Sequence, residues 1–353
     1  AFAAVFAAIG YLTRYNGLSA AVGIPLAVIV ANPFQQDLKD RVKTSGVFLA
    51  LFLVVISPWG IYCLVEKGSF FYNKNYLNIA YEMFAKGKIG WDQYWYGEAQ
   101  KFTSLAQVLF ADPGLFVKSL VKNLIDHGIS DLNLLVGWHV GVFALPGIAA
   151  FIKYRPERRV LSYFLISAAF FGVLLLVFYG ERFSMILLPV YSALALKTLS
   201  LPSLAPYRFW KKMHIGGIVA IILIMWTGYS SLKSNGENID SGPREVLTFG
   251  DWFHQNFGDS ERGKVVIARK PHIAYYLDMK LEMFPYVESY DQLLAEMRRS
   301  KASYLYFSLM EAGMRQQFQY LLNPRSAPKE LRPLMYTTNP PAVLYKIELG
   351  ATQ

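Results

Sequence analysis

The sequence is poor in charged residues and has almost no cysteine. Asp, Glu, Lys and Arg make up only 17% of its 353 residues, whereas soluble domains contain roughly 25%. The single cysteine, Cys63, lies inside an apolar run, which excludes a disulfide framework or a cysteine metal site within this chain. We find no residue spacing typical of a zinc site, a P-loop or a nucleophile elbow.

The sequence instead contains several long apolar runs. The first, 1–12, begins without Met or basic residues and is too short to span a membrane. We therefore expect the end of a helix that starts upstream, and not a signal peptide. Six further windows are long enough to cross a bilayer, at 18–34, 46–65, 132–152, 160–178, 183–197 and 213–232. The sequence predicts a polytopic α-helical membrane protein with about six transmembrane helices plus a remnant.

The Lys and Arg residues are distributed unevenly among the connections between these windows. Eleven of the twenty that precede Lys233 lie in the connections 35–45, 153–159 and 197–212. The positive-inside rule assigns these connections to the cytoplasm, so the loop 66–131, the turn 179–182 and the segment after Lys233 are predicted to be extracytoplasmic. Since this bias explains most of the net charge of +10, we do not expect a nucleic acid partner.

The two large extracytoplasmic parts differ in composition. The loop 66–131 interleaves aromatic residues with Asn, Gln and Asp, then continues as a predicted helix over 112–129 that Asp112 can cap and that suits a membrane interface. Further on, short strands alternate with helices, which is typical of a small α/β domain. We therefore predict a transmembrane domain, 1–232, and an extracytoplasmic α/β domain, 233–353. Its predicted strands are 264–268, 303–308 and 341–347, and its predicted helices are 271–277, 289–300 and one that Ser241 and Pro243 open and that ends at Phe257.

Two arginines are candidates for binding a phosphate. Arg14 lies where one apolar run ends and the next begins, and Arg182 lies in an outside turn at the same membrane level. A guanidinium can hold a phosphate through two hydrogen bonds, and a charge at this depth is costly unless it is paired or functional. Snorkelling of Arg14 to the lipid headgroups and a local Glu181–Arg182 pair are the structural alternatives. The neighbouring residues Tyr15, Tyr179 and Glu181 are further candidates.

The aromatic loop and one histidine are the other candidate site residues. Carbohydrate sites combine aromatic faces with carboxylates and amides, because sugar C–H faces stack while hydroxyls need hydrogen bonds. Anchoring at the membrane interface explains the aromatic residues equally well. His139 lies between Gly137 and Gly141, where it can act directly or form only an interhelical hydrogen bond. The candidate residues of the loop are Tyr72, Lys74, Asn75, Tyr76, Trp91, Asp92 and Tyr94.

Several stretches of the sequence carry a resemblance to a known family. They read AAIGYLTRYNGL, SPWGIYCLVEKGSFFYNKNY, ERFSMILLPVYSALA and, in the tail, ARKPHIAYYLDMKLEMFPY followed by SYLYFS and PAVLYKI. In this order, over essentially the whole chain, they resemble the bacterial polytopic glycosyltransferases of the GT-C fold. That group includes the protein O-mannosyltransferase-like and lipid A aminoarabinose transferase-like enzymes.

The resemblance implies a glycosyltransferase of the bacterial inner membrane. Such an enzyme moves a sugar from a polyprenyl-phosphate-linked donor to a lipid, glycan or protein acceptor outside the cytoplasm. By position, Arg14 and Arg182 look like contacts of the lipid phosphate, and 70–96 looks like the flexible substrate loop. The catalytic carboxylate of the family is expected upstream of Ala1, so no catalytic residue is named. No cofactor or metal site is assigned, and a requirement for a divalent metal is left open.

Two other functions are also compatible with these residues. A transporter or flippase of a lipid-linked glycan is one, although the sequence has no internal repeat and no paired charges deep in its apolar runs. A non-enzymatic envelope assembly protein whose tail binds a partner is the other. A carboxylate in the first outside loop would favour the enzyme, whereas a duplicated set of helices would favour the transporter.

Overall fold

Helices make up most of the chain. The computed structural model describes residues 1–209, 213–240 and 244–349. The chain separates into two units, the first formed by Ala1–Trp91 with Gly97–Ser231 and the second by Asp92–Tyr96 with Leu232–Gln353. Each unit has its own buried core.

The first unit is helical, apart from a short ribbon of two antiparallel strands, β1 (Arg208–Phe209) and β2 (Met213–His214). Within α5, only Trp91 belongs to this unit, and α12 continues past its end at Ser231. The helices are α1 (Phe2–Thr13), α2 (Leu18–Val30), α3 (Leu38–Lys67), α4 (Tyr76–Phe84), α5 (Trp91–Tyr96), α6 (Leu105–Ala111), α7 (Pro113–Ser130), α8 (Trp138–Lys153), α9 (Arg158–Leu174), α10 (Glu181–Ser184), α11 (Leu188–Leu199) and α12 (Ile215–Asp240).

Three helices in the described residues are long and apolar enough to cross a membrane, and they characterise the chain as a membrane protein. They are α3, the run Glu181–Leu199 that includes α10 and α11, and the helix that begins at Ile215. All six predicted windows are largely helical, but the prediction of six spans exceeds this number. One reason is that α8 begins only at Trp138, because a π-helical turn, Asp131–Leu135, and a left-handed Gly137 precede it. In addition, α2 has 13 residues and α9 has 17.

Close packing between helices depends on glycine. Gly147 of α8 approaches α11 so closely that a Cβ atom there would lie 2.1 Å from the carbonyl oxygen of Leu194. A Cβ atom on Gly23 of α2 would lie 3.0 Å from the Cα atom of Ile166 in α9. Such approaches suit membrane helices, whose association relies on van der Waals contact between small residues.

Helix α7 exposes several large apolar side chains and buries two polar ones. Val117, Val121 and Ile125 are exposed, whereas Asn123 and His127 are buried. A bilayer solvates apolar groups, and polar groups then need partners inside the protein. The helix predicted at 112–129 is confirmed, and the carboxylate of Asp112 caps it by accepting a hydrogen bond from the Leu115 amide at 2.8 Å.

The second unit is built around a five-stranded sheet in the order β4-β3-β5-β7-β6. Strand β3 pairs in parallel with β4 and β5, and β7 pairs antiparallel with β5 and β6. Apolar clusters are buried on this sheet. The strands are β3 (Val265–Ala268), β4 (Lys280–Met283), β5 (Tyr304–Ser308), β6 (Leu331–Thr338) and β7 (Pro341–Ile347), and the helices are α13 (Arg244–Phe257), α14 (Pro271–Tyr276), α15 (Tyr290–Arg299) and α16 (Leu309–Met314).

The buried strands were predictable and the edge strands were not. The predicted strands at 264–268, 303–308 and 341–347 are confirmed as β3, β5 and β7, and two predicted helices are confirmed as α14 and α15. Strands β4 and β6 form the edges of the sheet, and their mixture of exposed and partly buried residues gives no apolar run. Ser241 and Pro243 lie outside the described residues, and the described helix there begins at Arg244.

We expect Gly147→Ala to destabilise the first unit, whereas Gly172→Ala in α9 should not. The added methyl at Gly147 collides with backbone of α11, and overpacking of this kind costs about 1–3 kcal/mol. Gly172 has open space around it, so its substitution brings only the better helix propensity of alanine. Thermal unfolding of both variants in detergent checks this, and equal midpoints would contradict it.

Candidate functional site

Arg14 lies at a tight connection between two apolar helices. It ends α1 with an extended backbone, and the 3₁₀ turn Tyr15–Gly17 then leads directly into α2. Gly17 is required there, because a Cβ atom would lie 2.3 Å from the backbone nitrogen of Tyr11. The exposed Arg14 side chain therefore extends from a fixed corner of the first unit.

The structure brings the two predicted arginines to one aromatic ring. The guanidinium carbon of Arg14 lies 4.7 Å from the centroid of Phe183, and that of Arg182 lies 4.8 Å from the same centroid. Cations at this distance are attracted to the face of an aromatic ring. Both Glu181 and Arg182 are exposed, and in the described part of the chain no ion pair joins them. Phe183 is thus a shared contact of the two predicted arginines.

A cavity of about 770 Å³ opens beside this pair. Arg14 and Phe183 line it, and Arg14 is the only charged residue among the described residues that do. Four of the predicted residues, Tyr15, Tyr72, Asn75 and Tyr76, also lie in its wall. The remaining polar wall includes Asn16, Asn73, Asn78, Thr103 and Ser104, and the apolar wall includes Leu12, Leu18, Leu105, Val173, Leu176 and Val177.

Hydrogen bonds order the part of the loop that faces this cavity. The Tyr15 hydroxyl donates to the carbonyl oxygen of Tyr72 at 3.1 Å, which ties the loop to the turn after α1. The Trp91 indole donates to the Asn78 side chain at 2.9 Å. Predicted residue Lys74 is exposed and does not line the cavity.

Asp92 and Tyr94 belong to the second unit and do not line the cavity. Asp92 forms a buried ion pair with Arg315, whose Nη1 donates to the Asp92 carboxylate at 3.0 Å. The Arg315 guanidinium also donates to the carbonyl oxygens of Phe284 and Pro285. Tyr94 is buried as well. A carboxylate held this way in a buried pair is a structural anchor for the segment Asp92–Tyr96.

His139 lies between two helices of the first unit. Its Nε2 atom is 3.1 Å from the Thr227 hydroxyl of α12, and its ring lies 5.9 Å from that of Trp226. His139 is not among the residues that line the cavity. This contact matches the interhelical alternative. Of the two glycines that flank His139, Gly137 precedes α8 and Gly141 packs on the Leu132 carbonyl.

The sequence analysis missed a buried carboxylate, Asp131. It is fully buried and accepts hydrogen bonds from the Tyr179 hydroxyl at 3.0 Å and the Tyr191 hydroxyl at 2.8 Å. The Ser184 side chain is a third partner. Burial raises the pKa of the Asp131 carboxyl, and these hydrogen bonds act in the opposite direction. The spacing of Asn123, His127 and Asp131, four residues apart, was the signal that could have found it.

Neither a metal site nor a similar known protein identifies the function of this site. Among the described residues, no cluster of three or more His, Cys, Asp or Glu side chains could hold a metal ion. Comparison with family models, with curated proteins and with solved structures found no match for this chain. The geometry of the first unit therefore carries the functional argument.

We expect Asp92→Ala to destabilise the second unit strongly. The substitution leaves the Arg315 guanidinium buried without a counter-charge, and breaking a buried pair in this way costs about 3–5 kcal/mol. Glu98→Ala removes an exposed carboxylate nearby in sequence and should cost less than about 0.5 kcal/mol. Chemical denaturation of both variants measures the difference, and comparable losses would refute the role of Asp92 as an anchor.

Proposed function

We propose that this protein is a membrane glycosyltransferase that moves a sugar from a polyprenyl-phosphate-linked donor to an extracytoplasmic lipid, glycan or protein. One observation carries the proposal. Among the described residues that line the cavity, Arg14 is the only charged one, and the others include tyrosines, asparagines and aliphatic residues. These three kinds of lining residue match the three chemical parts of such a donor, which are a phosphate, a sugar and an isoprenoid chain.

The phosphate is assigned to the two arginines. Guanidinium groups bind phosphate oxygens through paired, charge-assisted hydrogen bonds. Arg14 and Arg182 both lie against Phe183, and we assign one phosphate to the pair. Among the described residues neither arginine forms an ion pair with a carboxylate, so both guanidinium groups can bind a ligand.

The sugar and the lipid chain are assigned to the two remaining walls. Tyr72 and Tyr76 offer aromatic faces for sugar C–H groups, and Asn75 and Asn78 offer amide groups for sugar hydroxyls. The aliphatic wall formed by Val173, Leu176 and Val177 suits an isoprenoid chain.

The arginines would act on the leaving group during transfer. An acceptor hydroxyl attacks the anomeric carbon, the bond from that carbon to the phosphate oxygen breaks, and the acceptor proton passes to a base. Negative charge then accumulates on the departing polyprenyl phosphate, where fixed cations stabilise it. The base is not assigned, because the described residues that line the cavity include no carboxylate.

The proposed architecture is that of the GT-C fold. It has about six membrane-spanning helices in 1–232, with 66–131 and 233–353 outside the cytoplasm, in a bacterial inner membrane. The excess of Lys and Arg in 35–45, 153–159 and 197–212 supports this orientation. All six apolar windows are largely helical, and three of the described helices are long enough to span a membrane by themselves.

We expect Arg14→Ala and Arg182→Ala each to weaken binding of a polyprenyl monophosphate by about 10- to 100-fold, the equivalent of one hydrogen bond to a charged group. Arg159→Ala is the matched control, since it removes an exposed arginine that neither lines the cavity nor contacts Phe183. Affinity is measured for protein in nanodiscs. Unchanged affinity in both the Arg14 and the Arg182 variant would remove the phosphate assignment.

The orientation is tested separately with a reporter fused after Lys233. Because the positive-inside rule places this position outside, alkaline phosphatase should be active there and a cytoplasmic fluorescent reporter should be dark. The same reporters inserted at Arg155 should give the opposite pattern. A cytoplasmic signal after Lys233 would overturn the proposed topology.

A further inference from the structure

Three buried polar side chains follow one face of α7 and the π-helical turn after it. Asn123, His127 and Asp131 are spaced four residues apart, which places them on the same face. They are 2%, 2% and 0% exposed, although α7 turns its large apolar side chains outward. Burying three polar groups is costly, so this polar stripe requires partners.

All three members of the polar stripe contact one short segment, 175–184. The Asn123 amide donates to the carbonyl oxygen of Leu175 at 2.9 Å. The His127 ring packs edge-on against the ring of Tyr179, with 5.3 Å between their centroids. Asp131 accepts the Tyr179 hydroxyl at 3.0 Å. The polar stripe thus fixes how the chain leaves α9.

Asp131 holds this segment at both ends of its turn. Tyr179 comes before the turn and donates a hydrogen bond to the carboxylate, and Ser184 comes at its end and interacts with the same carboxylate. Between them lie Arg182 and Phe183, whose ring contacts Arg14. A carboxylate that binds both ends of a turn restricts the turn to one shape.

We propose that Asp131 is a positioning residue that closes the turn 179–184 and thereby sets where Arg182 and Phe183 stand relative to Arg14. This inference rests on the proposed function, in which the two arginines hold the donor phosphate. Apolar residues of similar size would pack these helices together without the cost of desolvating a charge. The fixed geometry of the turn is what the carboxylate contributes beyond packing.

Two tyrosines of the same carboxylate provide a matched pair of variants. Tyr179→Phe removes the hydrogen bond that closes the turn, whereas Tyr191→Phe removes an equivalent bond from α11, outside the turn. Each variant removes one hydroxyl that donates a hydrogen bond to Asp131. If Asp131 only stabilises the fold, the two variants should weaken lipid binding equally. If Asp131 positions the turn, Tyr179→Phe should weaken lipid binding more than Tyr191→Phe.

We expect Tyr179→Phe to weaken polyprenyl monophosphate binding in nanodiscs about tenfold, and Tyr191→Phe to leave it within about twofold. Hydrogen exchange gives a second measurement that needs no lipid. The backbone amides of 180–187 should exchange faster in Tyr179→Phe only. Equal affinity losses and equal exchange in the two variants would overturn the inference.

Further controls separate this inference from the proposed function. If the wild-type protein does not bind the lipid, the proposed function fails, and the exchange measurement alone then decides whether Asp131 closes the turn. If Tyr179→Phe does not fold, Ser184→Ala opens the other end of the same turn and should give the same selective exchange. If Arg14→Ala weakens binding but Tyr179→Phe and Ser184→Ala do not, the phosphate assignment survives and the positioning role is lost.

Discussion

A carboxylate in apolar surroundings is stable only when several hydrogen bonds replace its lost water. Asp131 meets this condition through hydroxyl groups from Tyr179, Tyr191 and Ser184. Asn123, His127 and Asp131 are buried in the first unit, so their polar groups need partners inside the protein. The hydrogen bonds to Asp131 hold the chain between α9 and α11 in place. This segment contains Phe183, which lines the cavity.

Sequence patterns predicted the elements whose formation depends on local burial. Strands β3, β5 and β7 are apolar runs in the middle of a sheet, and α7 carries its own cap at Asp112. The lengths of the helices were not predictable in the same way. The break before α8 combines a π-helical turn with a left-handed Gly137, and hydropathy averaged over a window contains no information about either. Hydropathy therefore located the helices but overestimated how many are long enough to span.

The residues of the candidate site also differ in whether local sequence patterns could predict their role. Arg14 and Arg182 were predicted because a charge in an apolar region is costly unless it is paired or functional. The structure brings both arginines to the ring of Phe183. Asp92 was a candidate because carbohydrate sites combine aromatic faces with carboxylates, but its partner Arg315 lies 223 residues away in the sequence, where no local pattern connects them. Asp131 was missed because a single acid at the edge of an apolar run is not unusual without knowledge of which tyrosines reach it.

The ion pair of Asp92 and Arg315 also has a consequence for the order of biosynthesis. The second unit contains a piece of chain, Asp92–Tyr96, that the ribosome makes long before the rest of the unit. At ordinary elongation rates, Arg315 emerges roughly 10–45 s after Asp92. During that interval Asp92 lacks the guanidinium that it pairs with in the folded protein. The Asp92–Arg315 ion pair can therefore form only after most of the C-terminal part of the unit has been made, which links the final conformation of the loop to a late stage of translation.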